Sequence, residues 1–151
     1  MTDLKDKKAR DKIKNELDTS FFVEAGAGSG KTHHLVKRMV NLITTGSASI
    51  EHMAAVTFTR KAAAELSERF QIGLEKRLGE KDITGAEAEN IKRALSNLEQ
   101  VYIGTIHSFC AGILRERPVE AGIDPGFEEI EEEADSVYAE MAWAGYLEKL
   151  R

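Results

Sequence analysis

The sequence predicts an α/β fold, a parallel sheet flanked by helices, and three observations predict it. Short apolar runs at residues 21–25, 54–58 and 101–104 alternate with stretches of helical periodicity. Those runs are apolar rather than alternating, which marks strands buried on both faces of a parallel sheet. A glycine-rich segment, residues 24–32 (EAGAGSGKT), lies directly behind the first run and opens the first long periodic stretch.

Each element has its own warrant. Residues 5–17 read as a charged helix with Ala9, Ile13 and Leu17 as its few apolar anchors. Residues 21–25 form a strand, interrupted only by Glu24. A helix follows over 31–44, with Leu35, Val36, Met39, Val40 and Ile43 at inward spacing. Gly46-Ser47 stops it, and 54–58 is a second strand. Residues 60–78 are a long helix with Ala64, Leu66, Phe70, Leu74 and Leu78 on its inner face, closed by Gly79. Thr84 caps a further helix, and Glu87 three residues on completes a capping box. That helix buries Ile91, Leu95 and Leu98. Residues 101–104 are a third strand and 108–115 another helix. Pro118 and the 122–126 segment, with Pro125, mark a break before an acidic helix over about 132–151. Met141, Ala144, Tyr146, Leu147 and Leu150 carry its pattern up to Arg151 without a stop signal, so the sequence reads as one cut inside an element.

The glycine segment names a ligand. Glycines let the backbone turn tightly and bring successive N–H groups onto phosphate oxygens. The helix opening near Lys31 aims its unpaired N–H groups and positive dipole end at the same anion. Ala25, Gly26, Ala27, Gly28, Ser29 and Gly30 form the cradle, and Lys31 adds a mobile cation for the outer phosphates. Thr32 places a hydroxyl for magnesium. The general pattern opens with glycine, and Ala25 stands there instead. A flexible glycine linker is the plainer alternative. The strand signal before the segment and the helical pattern after it outweigh that. The fold class is therefore that of a P-loop nucleoside triphosphatase.

Bulk properties narrow the field. The 151 residues, 42% of them hydrophobic, suffice for one ordinary domain with a real core. A net charge of −5 gives no support for non-specific nucleic-acid binding, although it permits a local basic groove. The acidity is concentrated in Glu128, Glu129, Glu131, Glu132, Glu133 and Asp135. Cys110 is the single cysteine, so no internal disulfide forms, which fits a reducing cytosol. Its apolar helical surroundings predict a packed thiol. No run approaches membrane-spanning length, and the Lys/Asp-rich start has no apolar core of a secretory signal. The expected location is the cytoplasm, with no membrane partner.

Two strand ends carry further chemistry. The second strand ends in Thr57-Phe58-Thr59-Arg60-Lys61-Ala62-Ala63-Ala64-Glu65-Leu66 and the third in Ile103-Gly104-Thr105-Ile106-His107-Ser108-Phe109. Strand ends of an open parallel sheet face its ligand crevice. Hydroxyls and N–H groups there suit phosphates, and Phe58 can stack on a base. Taken singly, each has a structural alternative: strand packing followed by an N-cap at Thr59, and a helix-terminal hydrogen bond for His107.

Together with the glycine segment, these motifs closely resemble superfamily one DNA helicases of the UvrD/Rep/RecB/AddA group, over about residues 5–130 and in family order. The resemblance implies a RecA-like motor domain that binds ATP and magnesium through Gly28, Ser29, Gly30, Lys31 and Thr32. It implies contacts with single-stranded DNA through Thr57, Phe58, Thr59 and Arg60, and through Thr105, His107 and Phe109. The stretch from Cys110 to Arg115 looks more like the RecB/AddA branch than Rep. Residues 1–117 would be the N-terminal part of the first motor domain, and 118–151 the start of an inserted helical subdomain. Partners implied are the rest of the helicase, including a second motor domain, and a nuclease subunit or domain, in DNA repair or recombination. Family members carry an adenine-reading glutamine upstream of the loop. This sequence has Ala9-Arg10 near that place and no glutamine, so Arg10 becomes the candidate for base contact.

The family also uses a strand ending in Asp-Glu to hold magnesium and activate water. Glu131, Glu132, Glu133 and Asp135 have no apolar strand before them and read as a solvated helix end. The later motifs, with their phosphate-stabilising arginines, are absent too. This chain by itself is therefore expected to show little or no turnover. A small P-loop kinase and a free-standing nucleotide- or DNA-binding module are the alternatives. A kinase has no use for the two strand-end motifs.

Overall fold

In the computed structural model, which describes residues 6–26, 28–128 and 132–149 (132–135 by backbone alone), the sheet is a parallel pair. Strand β1 (Ala54–Thr57) lies beside β2 (Tyr102–Thr105), with Ala54 opposite Tyr102 and Thr57 opposite Thr105. Parallel neighbours need a long crossover. Here it runs through α3 (Arg60–Leu78) and α4 (Gly85–Ser96). Before the sheet come α1 (Lys7–Asn15) and α2 (Lys31–Thr44); after it come α5 (Ile106–Glu116), α6 (Pro118–Ala121) and α7 (Glu132–Lys149).

The chain divides into two compact units, the first ending at Ile106 and the second beginning at His107. In the first unit the core is built where α2, α3 and α4 meet. Phe70, Leu74 and Ile91 are wholly buried, with Leu66 of α3 and Met39, Val40 and Ile43 of α2 in the same cluster. Ile50, Met53 and Ala55 extend it to the sheet. The helices begin where their caps dictate. Thr59 Oγ1 accepts from Ala62 N–H at 3.1 Å, and Thr84 with Glu87 forms the reciprocal capping box. In the second unit, α6 ends at Gly122 in a left-handed conformation (φ 67°), and the Arg115 guanidinium lies over the Phe127 ring at 5.3 Å. Along α7, Trp143 stacks on Tyr146 at 5.7 Å, and both are exposed.

Helices 31–44 and 60–78 match the sequence reading in extent, although Leu35, read as inward, is exposed; α4 carries the predicted box and the predicted buried Ile91. Four further expectations are corrected. Residues 21–25 form no strand: a parallel strand draws its hydrogen bonds from neighbours, and among the described residues β1 and β2 pair only with each other. Phe22 stands 96% exposed as a result. The sheet is not covered on both faces, since Ala54 and Val56 are exposed and Ala55 alone in β1 is buried. On α3 the inward alanine is Ala63, not Ala64, a rotation of one residue. Cys110 is exposed, because the apolar character of α5 does not turn that face inward. Boundaries also shift by one residue: β1 ends at Thr57 rather than Phe58, and β2 runs to Thr105. Glu129, Glu131, Leu150 and Arg151 of the acidic helix reading lie outside the described residues.

Candidate functional site

The glycine segment becomes a loop because two of its glycines take conformations that side chains disfavour. Gly28 has φ 75° and Gly30 φ 86°, and open space surrounds Gly28, so backbone shape rather than crowding demands glycine there. Ser29 N–H bonds back to Gly26 O at 3.4 Å, closing a turn. Gly30 caps α2, and its carbonyl accepts from His34 N–H at 3.0 Å. Lys31 and Thr32 follow as the first helical residues, both exposed. The N-terminal N–H groups of a fourteen-residue helix and its dipole thus open onto the loop.

Lys31 Nζ folds back to donate to Ala25 O at 2.5 Å and Gly26 O at 2.8 Å, keeping its ammonium over the loop. Ala27 lies outside the described residues. Beside the loop is a cavity of about 760 Å³, walled by α1, the segment joining it to the loop, and the start of α2. Ala25, Ser29, Lys31 and Thr32 form its loop end. Ser29 Oγ is buried there without a hydrogen-bond partner. A buried hydroxyl left unpaired costs free energy, so an acceptor or donor arriving at that place is favoured. A triphosphate fits these features: an ammonium, free helix N–H groups, an unpaired hydroxyl and a cavity within the usual size of ligand pockets. Thr32 is exposed at the head of α2, its hydroxyl a candidate ligand for a divalent cation. Among the described residues no group of three His, Cys, Asp or Glu gathers to hold a metal, so phosphate oxygens would complete the coordination.

Arg10 faces the same cavity from α1, and two partners that sequence reading missed hold it. Its Nη2 donates to Asp6 Oδ2 at 2.8 Å, and its Nη1 to His34 Nε2 at 2.8 Å. A guanidinium only donates, so Nε2 of His34 is the acceptor and its ring proton sits on Nδ1. His34 is thereby held neutral. Burial first, and then the Arg10 charge, push its pKa below the ordinary imidazole value. The hydrogen bond from Arg10 holds the Asp6 carboxyl below its ordinary value. The i, i+4 spacing of Asp6 and Arg10 was the available sequence signal. His34 had none.

The strand ends are arranged as follows. Thr57 and Thr105 are paired across the β1–β2 ladder, which sets the two strand-end threonines side by side. Thr57 Oγ1 donates to Thr59 O at 3.0 Å and Gly104 O at 3.4 Å. Phe58, the residue after Thr57, is 92% exposed, and Arg60 opens α3, also exposed. His107 and Phe109 lie in the first turn of α5, in the second unit.

Fold and loop define the class as an α/β domain built on a glycine loop at a helix N-terminus, with a polar sheet end. Comparison with known families makes the assignment specific: residues 6–150 match the UvrD/REP helicase N-terminal domain, and the chain belongs to that family. Among curated relatives, it is 38% identical over 135 residues to an ATP-dependent helicase/nuclease subunit from Desulforamulus reducens, covering 88% of this chain and 10% of that protein. The protein of the same name from Ligilactobacillus salivarius is 36% identical over 146 residues, 93% of this chain and 11% of the relative. That from Listeria monocytogenes serotype 4a is 38% identical over 129 residues, 84% and 10%. The chain thus spans about a tenth of the length of these relatives. The expected likeness to the RecB/AddA branch agrees with the relatives' names.

Proposed function

We propose that this chain is the ATP-binding and strand-gripping N-terminal part of an ATP-dependent DNA helicase, with a nuclease as a functional associate, acting in DNA repair. The observation that carries the reading is the unpaired Ser29 hydroxyl beside Lys31 at the head of α2, at one end of a ligand-sized cavity. Family membership supports it and sets the kinase alternative aside.

Bound ATP would supply a phosphoanhydride bond whose cleavage powers movement, with magnesium as Lewis acid. The chain's own residues have separable tasks. Gly28, Ser29 and Gly30 present backbone N–H groups to phosphate oxygens. Lys31 would leave the Ala25 and Gly26 carbonyls and turn to the outer phosphates. Thr32 would ligate the cation. On the first unit Thr57, Phe58, Thr59, Arg60 and Thr105 would hold single-stranded DNA by hydroxyl, cation and stacking contacts; on the second unit His107 and Phe109 are read as further DNA contacts.

The fold is read as RecA-like, with 1–117 as the first motor domain's N-terminal part and 118–151 entering a helical subdomain. A second motor domain would close over the nucleotide and, with the Asp-Glu strand that this sequence lacks, supply turnover. The residue classes suit a cytoplasmic protein, and no described helix is long and apolar enough to cross a membrane.

The test is a titration of isotopically labelled chain with magnesium ATP. Amide resonances of residues 25–32 are expected to shift, and Lys31→Met is expected to weaken the effect by roughly 10–150-fold, the worth of a charge-assisted hydrogen bond. Unmoved resonances in a folded sample defeat the proposal.

A further inference from the structure

Lys31, Leu35 and Arg38 follow one another at four- and three-residue spacing, which stacks side chains along one helix face, and all three line the cavity. Lys31 and Arg38 are therefore two turns apart, about 10 Å along the axis of α2. Lys31 belongs to the loop end. Arg38 belongs to the far end, where the wall is the segment joining α1 to the loop, residues 17–21 and 23–25. Between them Leu35 is 43% exposed, although its neighbours Val36 and Met39 are buried.

That wall has neither helix nor ladder to hold it. Residues 16–26 form no helix or strand, and among the described residues no main-chain hydrogen bond ties residues 20–25 to another element. The hold comes from side chains of α2. Lys31 takes the Ala25 and Gly26 carbonyls at one end. Arg38 takes the other end: Nη1 donates to Ile13 O and Glu16 O, and Nη2 to Leu17 O and Thr19 O, all between 2.8 and 3.0 Å.

Two features separate this from ordinary helix capping. Basic side chains commonly bond the last carbonyls of a helix, and Ile13 and Glu16 fit that role, since α1 spans Lys7–Asn15 with Glu16 as its cap. Leu17 O and Thr19 O lie beyond the helix. Bonds there fix the path of the main chain itself, in the stretch that faces the cavity. Both terminal nitrogens are committed to carbonyls, so Arg38 acts on a ligand through the wall. The loop end is built without it: the turns at Gly28 and Gly30 and the bonds from Ser29 and His34 N–H use no contact of Arg38.

We propose that Arg38 is a positioning residue for the nucleoside end of the site: it presets the wall on which the base and sugar of a bound nucleotide lie, and leaves the phosphate end alone. This rests on the nucleotide reading of the loop and adds the residue that shapes its second half. An irregular wall left free would have to be ordered when the ligand arrives, and that ordering weakens binding; a wall fixed beforehand avoids the loss.

The experiment titrates the full chain with magnesium ATP and with magnesium tripolyphosphate, read by amide resonances. Both ligands are expected to shift residues 28–32. Only ATP is expected to shift residues 17–21, and it should bind at least about tenfold more tightly than tripolyphosphate. Arg38→Lys keeps the charge and loses the fork. It is expected to lower ATP affinity at least about fivefold and to leave tripolyphosphate affinity within about twofold. Asn41→Ala is the control. It removes a bond from α2 to Lys14 O of α1, outside the cavity, and its ratio of the two affinities should match that of the unaltered chain. An Arg38→Lys ratio equal to that of the unaltered chain overturns the inference, whether both affinities hold or both fall. So does an Asn41→Ala ratio that falls as far as the Arg38→Lys ratio, which would make general loosening of α1 the cause. Equal affinity of the unaltered chain for the two ligands, or residues 17–21 unmoved by ATP, overturns it without any variant and leaves the phosphate loop standing. Absence of shifts at 28–32 with either ligand in a folded sample defeats the nucleotide reading itself.

Discussion

Arg38 Nη2 donates to the carbonyl of Leu17 at 3.0 Å, across twenty-one residues of sequence, and the same guanidinium reaches three further carbonyls: Ile13 at 2.8 Å, Glu16 at 3.0 Å and Thr19 at 2.9 Å. Its plane also lies 5.2 Å from the Phe21 ring centre. One side chain of α2 therefore ends α1 and aims the segment that leads to the glycine loop. Without it those carbonyls lose a charged donor, and the cavity loses one wall. Arg38→Met is expected to destabilise the chain by about 2–4 kcal/mol, the scale of one or two hydrogen bonds to a charged group. Urea unfolding measures that, and limited proteolysis locates it, with new cutting over residues 16–24. Arg38→Lys keeps the charge and loses the fork, so it should recover only part. Unchanged stability in Arg38→Met would show that the segment is held by other means.

At Gly73, α3 packs directly on α2. A Cβ there would stand 2.9 Å from Val40 Cγ2 and 3.5 Å from Val36 Cγ1. Alanine in a helix gains up to about 1 kcal/mol over glycine, whereas overpacking costs about 1–3 kcal/mol. Val40 is β-branched and 7% exposed, so it has little freedom to yield. Gly73→Ala is therefore expected to destabilise by about 0.5–2 kcal/mol. Val40→Ala should reverse the sign of the second substitution, so that the pair is more stable than the sum of the singles. Strict additivity in the double-mutant cycle would show that the helices are free to separate.

How far the sequence reveals this molecule depends on whether a feature is local. The Thr84–Glu87 box and the Thr59 cap were legible because cap chemistry lies within three residues. Helices α2 and α3 were legible because a 3.6-residue period spans their whole length. The 21–25 run was misread because being a strand is a property of pairs. Apolar residues state that a segment wants cover, not that a ladder partner stands beside it. The loop's glycines were legible from composition. The Arg38 anchorage was not, because its partners are backbone carbonyls, which every residue carries. His34 stayed hidden for a related reason: its role comes from Arg10, twenty-four residues away, and only packing of α1 on α2 joins them.

Phe58 is 92% exposed at the end of β1, so folding gains almost nothing from it. A large ring kept in water beside Thr57 and Arg60 is better explained by a ligand's need than by the core's. Phe58→Ala is expected to leave the unfolding midpoint unchanged within error. It should weaken binding of a short single-stranded oligonucleotide by roughly 5–150-fold, the value of one base–aromatic stack. Fluorescence anisotropy at fixed salt measures this, and Arg60→Gln should instead reduce the salt dependence of binding. Equal oligonucleotide affinity for Phe58→Ala and the unaltered chain would remove this ring from the nucleic-acid surface.

His34 and His33 are expected to make the stability of the α1–α2 region depend on pH. Burial is the first cause in both, and both are held below the ordinary imidazole value. Around His34 stand Asp6, just before α1, Arg10 of α1, and His33 and Lys37 of α2; His33 also feels Arg69 and Lys76 of α3. Only Asp6 among these favours the charged form. In the unfolded chain both rings titrate near 6.5. Between that value and their lower folded values the unfolded state binds more protons, so stability rises with pH. Their contribution is complete above the unfolded value and is lost as pH falls through the folded one. Asp6 adds a second loss further down, below its ordinary 3.8, as its bond with Arg10 is protonated away. The denaturation midpoint is therefore expected to fall between pH 7.5 and pH 5.5, about one unit either side of the imidazole range. His34→Gln keeps an acceptor for Arg10 without a titrating ring, and its midpoint should fall less over that interval. The His33→Gln/His34→Gln pair should flatten it further. A midpoint that drops equally in all three chains would place the titrating group elsewhere and free His34 from the neutral state that its bond with Arg10 requires.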